Sequence, residues 1–224
     1  MARRWHAARA HPSAVLFAVQ LLGVLVYPFM EGSPTGRALF STFGLAVLAL
    51  AVWVVRATPA LTRVSAGIGV PAVVLTVWEA ARPDSPTVVV ASGLVHAAFY
   101  GYTAYALIRY MFNDDTVTRD ELYATGAAFT IVAWGFAYLY SATQVIWPGS
   151  FIAAVHPEAP RTWMELLYLS FTTLTSTGLS DVTPVRPHAR SFVMVEQLAG
   201  LMYVALVVAR LVGLTLARTR RSES

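Results

Sequence analysis

Six stretches of the chain are apolar over roughly the 20 residues that a ~30 Å hydrocarbon layer demands of a helix. This repetition limits the fold more than any single motif. The stretches lie near 12–30, 37–55, 64–78, 87–111, 122–147 and 188–216. In lipid, every backbone amide and carbonyl needs a partner within its own segment, so each such stretch is read as a helix. The third is short and holds Gly67, Gly69 and Pro71, residues that membrane helices tolerate when neighbours satisfy the freed backbone groups. Composition agrees: 57% of the 224 residues are hydrophobic and 12% charged, where a soluble domain carries about a quarter charged. The sequence predicts an all-α membrane protein with six transmembrane helices.

The net charge of +4 comes from arginines near the ends of these stretches. Arg3, Arg4 and Arg9, then Arg56 and Arg63, then Arg218, Arg220 and Arg221 fall on one side if the chain crosses six times. By the positive-inside rule that side is cytoplasmic, with both termini in the cytoplasm of a multi-pass cell-membrane protein. No nucleic-acid partner is expected, because no soluble basic face exists to read one. The chain has no cysteine, which excludes disulfides and thiolate metal sites. No His-Glu-x-x-His or Gly-x-Ser-x-Gly run occurs, so neither an enzyme nor a small-molecule substrate is expected.

Residues 1–112 are expected to form a four-helix transmembrane domain. It is not a voltage sensor: its fourth segment carries Arg109 alone, whereas such sensors need several charges to gain from a field worth about 2.3 kcal/mol per charge per 100 mV. His96, in mid-segment, is read as a buried, hydrogen-bonded histidine. Residues 113–121, with Asp114, Asp115, Asp120 and Glu121, are read as a solvated cytoplasmic linker whose last two acids favour the start of the fifth helix. The aromatics of that helix, among them Trp134, Tyr138 and Tyr140, suit an interface belt. Residues 122–216 form the second domain and 217–224 a short cytoplasmic tail.

One segment does not suit lipid. Between Phe171 and Pro184 the residues are mostly small, hydroxyl-bearing or glycine, and irregular backbone at membrane depth survives only where protein or water borders it. Thr175-Ser-Thr-Gly-Leu-Ser-Asp181, with Tyr168-Leu-Ser-Phe-Thr-Thr-Leu174 before it and Thr183-Pro184 after it, resembles the pore loop of potassium channels, whose filter usually reads Thr-Val-Gly-Tyr-Gly-Asp. The match spans 121–213. Gly178 and Asp181 hold family positions, and Ser176 keeps a hydroxyl. Thr177 stands in place of valine, Leu179 in place of the aromatic, and Ser180 in place of the second glycine.

The resemblance to prokaryotic six-transmembrane potassium channels implies a re-entrant pore helix, starting near Arg161, and a filter loop between helices 5 and 6. Each chain carries one such loop, so a homotetramer in membrane lipid is implied. The filter residues would be Thr175, Ser176, Thr177, Gly178, Leu179 and Ser180. Of these, Ser176, Thr177, Gly178 and Leu179 would contact a permeant monovalent cation, potassium or sodium, through carbonyl rings. No other cofactor is implied. Ser180 is expected to bear strain, because a left-handed residue with a side chain costs roughly 1–2 kcal/mol. Asp181, Tyr168, Thr172 and Glu196 would support the filter, with Asp181 either in contact with Tyr168 or facing the outer vestibule, where it would raise the local cation concentration, and with Glu196 or Gln197 bonded to Thr172 or Thr173. Gly200 would be a gating hinge, and Leu201, Val204, Val208 and Val212 would line an inner cavity. Arg210 is expected to pair with the acidic 114–121 stretch. The function implied is a potassium-permeable cation channel. The alternatives are a non-selective sodium/potassium channel and a non-conducting channel-like sensor or scaffold.

Overall fold

The computed structural model describes residues 11–30, 34–54, 59–112 and 118–223. Arg3, Arg4, Arg9, Arg56, Asp114 and Asp115 lie outside the described residues, as do the side chains of Arg218, Arg220 and Arg221. The order is α1 (Pro12–Val26), a 3₁₀ turn (Tyr27–Phe29), α2 (Pro34–Val54), α3 (Pro59–Ala81), α4 (Pro86–Met111), α5 (Arg119–Ile146), β1 (Phe151–Ala153), α6 (Trp163–Leu174), β2 (Val182–Pro184) and α7 (Pro187–Glu223). Proline opens α1, α2, α3, α4 and α7. There its fixed φ suits the helix and its missing N–H removes a donor that would be orphaned anyway. Among the described residues, five helices are long and apolar enough to cross a membrane, and α2 adds a shorter apolar run, Phe43–Val54.

Three boundaries differ from expectation. Helix α3 runs longer than the predicted 64–78 and passes through Pro71 without ending. Helix α7 continues to Glu223, so the predicted tail is helical almost throughout. Helix α5 begins inside the predicted linker, where Thr118 and Glu121 form a reciprocal cap: the Glu121 N–H donates to Thr118 Oγ1 at 3.2 Å and the Thr118 N–H to Glu121 Oε2 at 3.1 Å.

Helix α5 is the organising element, packing against α4, α1, α6 and α7. Its buried face is built largely from Ala124, Ala127, Ala128, Ala133, Gly135, Ala137 and Ala142. Without a hydrophobic drive between helices in lipid, such small residues allow close backbone approach. At the α4 contact a Cβ on Gly93 would lie 2.8 Å from the Tyr138 carbonyl oxygen, so only glycine fits. The aromatics expected at the interface turn inward instead. Trp134 and Tyr140 are fully buried, and Trp134 packs edge-on to Tyr100 and Trp163. His96 is buried and satisfied as expected: Thr76 Oγ1 lies 3.0 Å from Nε2, Ser92 flanks Nδ1, and the ring stacks on Tyr138 at 4.5 Å.

Asp120 is buried rather than solvated. Its carboxylate accepts the Ser13 backbone N–H at 3.1 Å and the Ser13 hydroxyl at 2.8 Å. The negative charge therefore sits at the amino end of α1, where free N–H groups favour an anion.

Candidate functional site

The site is built outward from α6, the short helix that precedes the 175–181 run. Thr162 and Glu165 cap its start, with the Thr162 N–H donating to Glu165 Oε2 at 2.6 Å and the Glu165 N–H to Thr162 Oγ1 at 3.3 Å. Arg161, its side chain only 2% exposed, pairs with Glu165 at 3.3 Å and donates to the carbonyls of Val155, His156 and Ala159. The preceding loop is thus wrapped around one guanidinium, whose planar fork suits several acceptors at once. Gln144 on α5 grips the Arg161 backbone at both N–H and C=O, each at 2.9 Å, fixing the start of α6 to the end of α5.

The end of α6 shapes the loop. The Ser176 N–H bonds to the Thr173 carbonyl and the Thr177 N–H to the Thr172 carbonyl, both at 3.0 Å. This crossed pair is a Schellman cap, which places a left-handed residue just past the helix. That residue is Ser176, with φ 59°, and Gly178 follows with φ 66°. The Gly178 N–H and the Thr177 hydroxyl also bond to the Thr172 carbonyl, at 3.2 and 3.3 Å. The Thr175 hydroxyl bonds to the Phe171 carbonyl at 2.7 Å and lies 3.1 Å from Thr177 Oγ1. Thr172 therefore supports the loop through its backbone. The carbonyl end of α6, with its partial negative charge, adjoins the exposed residues Thr175, Ser176, Thr177, Gly178 and Leu179.

The strain expected at Ser180 falls elsewhere. Among the described residues outside glycine, only His156 and Ser176 have positive φ. Ser180 instead accepts the Val182 N–H on its own Oγ at 3.1 Å, a local turn for which a serine side chain is well suited. Beyond it β2 pairs antiparallel with β1, Ile152 opposite Thr183, and the Val185 N–H reaches the Ser150 carbonyl at 2.9 Å. The loop is held at its far end by the segment that follows α5.

Tyr168 does not meet Asp181: its hydroxyl donates to the Leu179 carbonyl at 3.3 Å. Asp181 is exposed, and among the described residues its carboxylate has no hydrogen-bond partner. Glu196 is fully buried, yet its partners are Ser170 on α6 and Tyr140 on α5, not Thr172 or Thr173. Gln197 is exposed and lines, with Thr172, Thr173, Ser176, Gly178, Ser180, Val193 and Leu201, an open concavity of about 650 Å³ between the loop and α7. Leu201, Val204, Val208 and Val212 are each at least half exposed, whereas Val193, Glu196 and Gly200 face the protein.

Gly200 has a steric reason to be glycine. A Cβ there would lie 2.0 Å from the Leu174 carbonyl oxygen, so α7 crosses against the last turn of α6, and α7 runs unbroken through the crossing. Near the other end of α7, Arg210 pairs with Glu121 at 3.7 Å and lies 5.0 Å over the Phe112 ring, in line with the expected pairing to the acidic stretch. Among the described residues no group of histidine and acidic side chains is placed to hold a metal ion.

Sequence reasoning missed Ser170, Tyr140, Arg161 and Gln144. A serine amid the apolar residues of α6, and a glutamate in the apolar helix after it, signal that a polar partner must exist, though not which one.

Residues 126–216, from within α5 to within α7, match the family model described as "Ion channel". No curated protein and no solved structure matches the chain. The family match and the apolar helices support an ion channel located in a membrane.

Proposed function

We propose that the chain is one subunit of a homotetrameric, potassium-permeable cation channel of the cell membrane, with six crossings and both termini cytoplasmic. In this reading α5 is the outer helix, α6 re-enters from the outer face, residues 175–180 form the filter and α7 is the inner helix. The observation that carries it is the backbone after α6: a capped helix ends in a loop whose left-handed residues alternate, Ser176 and Gly178, and whose hydroxyls bond back to that helix. Such a backbone leaves carbonyl oxygens free for an ion stripped of water. The residues proposed to contact potassium are Ser176, Thr177, Gly178 and Leu179, the last through the carbonyl lone pair that the Tyr168 hydroxyl leaves open, with Thr175 and Ser180 flanking them. Thr172 and Tyr168 hold the loop from behind, and Asp181 faces the outer solution, where four copies would raise the local cation concentration. Leu201, Val204, Val208 and Val212 would line the inner cavity, and Gly200 would set where α7 can bend.

Ion flux from liposomes holding the purified protein, with potassium and then sodium as the only permeant cation, tests this reading. Gly178→Ala is the control, since φ 66° leaves alanine strained even though nothing lies within 4 Å of its Cβ. Potassium flux abolished by the control supports the channel. Equal flux of both ions favours the second reading, a non-selective channel, which rests on Ser180 lacking the left-handed backbone of a second filter glycine. No flux from confirmed tetramers favours a sensor or scaffold.

A further inference from the structure

Glu196 is the one fully buried acidic side chain among the described residues, and it joins three helices. Oε2 is bonded to the Tyr140 hydroxyl of α5, and Oε1 to the Ser170 hydroxyl of α6. Ser170 Oγ also lies 2.9 Å from the Ala133 carbonyl of α5. Tyr140 continues outward, its ring 5.2 Å from Phe151 in β1, so the cluster touches both the helix before the filter and the strand on which the segment after the filter pairs. Among the described residues Glu196 makes no ion pair.

Counting protons decides its state. A serine hydroxyl has one proton and accepts through its lone pairs, yet Ser170 has two acceptors beside it. If Glu196 is a carboxylic acid, its O–H donates to Ser170 Oγ, the Ser170 O–H donates to the Ala133 carbonyl and the Tyr140 O–H donates to Glu196 Oε2. Three donors then meet three acceptors. An ionised Glu196 takes the Ser170 proton, leaves the Ala133 carbonyl without it and buries an unpaired charge, which is costly at membrane depth.

We propose that Glu196 is a positioning residue, held as a neutral acid, whose relay Ala133–Ser170–Glu196–Tyr140 fixes α7 against α6 and so sets the geometry of residues 175–180. This rests on the channel reading of that loop. Glutamine reproduces the neutral acid, its N–H donating to Ser170 and its C=O accepting from Tyr140, whereas alanine removes both bonds.

The experiment measures the potassium-to-sodium flux ratio of wild type, Glu196→Gln, Glu196→Ala, Tyr140→Phe and Ser170→Ala, with infrared spectra of the first two at neutral pH. The expected result is a protonated-carboxyl stretch in wild type that Glu196→Gln removes, a ratio kept by Glu196→Gln, and a fall of roughly tenfold in the variants that break a bond, equal to about 1.4 kcal/mol. Tyr140→Phe and Ser170→Ala each remove one oxygen and serve where Glu196→Ala fails to assemble. An unchanged ratio in both of these variants overturns the positioning role. A Glu196→Gln ratio as low as that of alanine, with no carboxyl band in wild type, overturns the neutral acid. Absence of wild-type flux overturns the channel reading and with it the positioning role, while the infrared band still decides the neutral acid.

Discussion

Replacing Gly200 with alanine tests the contact between α7 and the end of α6. The added Cβ would lie 2.0 Å from the Leu174 oxygen, where real Cβ contacts stay above 3.0 Å. The two backbones must therefore separate by about 1 Å, and neither partner is a side chain that can rotate away. Overpacking of this kind costs about 1–3 kcal/mol, and alanine returns at most about 1 kcal/mol as the better helix former. A net loss of about 1–2 kcal/mol per chain is expected, read as a lower melting temperature in detergent. Gly67→Ala, with nothing within 4 Å, is the control and should hold or raise the melting temperature. Because Leu174 borders the Schellman cap, Gly200→Ala should also reduce the flux ratio. If Gly200→Ala matches wild type in stability and changes only the opening and closing of the pore, the close contact is refuted and the glycine acts as a hinge.

Asp120→Ala removes a charged partner from the amino end of α1 and should lower stability by about 0.5–2 kcal/mol, measured by thermal unfolding, with Asp120→Asn milder. Ser180→Ala leaves the Val182 N–H without its 3.1 Å acceptor, so faster amide hydrogen exchange is expected at 181–184 at a cost of about 0.5–1.5 kcal/mol. Arg161→Lys keeps the charge but loses the fork that reaches Val155, His156 and Ala159 together, and limited proteolysis should cut between 155 and 161 in the variant first.

The helices were legible because lipid enforces them: a stretch that must satisfy its own backbone and face hydrocarbon has few alternatives. The third span was expected to pass through Pro71 and does; its ends were set short because Arg63 and Glu79 limit an apolar run, not the helix that carries it. Although the capping box of Thr162 and Glu165 went unread, the start of the short helix near Arg161 was legible. The position of the strain was not. Propensity assigns left-handed residues to glycine and so pointed to the missing glycine at 180, whereas the chain places Ser176 at the cap and lets the Ser180 side chain make a turn. Nor could spacing along one helix reveal that Glu196 meets Tyr140, since that pairing depends on where three helices cross. The solvated reading of Asp120 failed for the same reason: its partner, Ser13, lies 107 residues away.

These long-range contacts converge on α5. At one end of α5 Asp120 holds the start of α1, Glu121 holds Arg210 and the Thr125 carbonyl accepts from Tyr203. At the other end Gln144 holds the start of α6 and Tyr140 reaches Glu196, and beside them, at Tyr138 and Ala142, α4 packs close enough to require Gly93. Helices α1 to α4 thus touch the proposed filter mainly through one rigid helix. A displacement of α1 or α4 passes chiefly along α5 to the ends of α6 and α7, with the Tyr27–Trp163 ring contact at 5.9 Å a direct link from the end of α1 to α6, because a packed helix moves as a body and its neighbours have discrete seats. A stimulus acting on the first four helices would therefore reach the loop at the Glu196 cluster and at the Gly200 crossing, which makes these two contacts the places where coupling between the halves is to be measured.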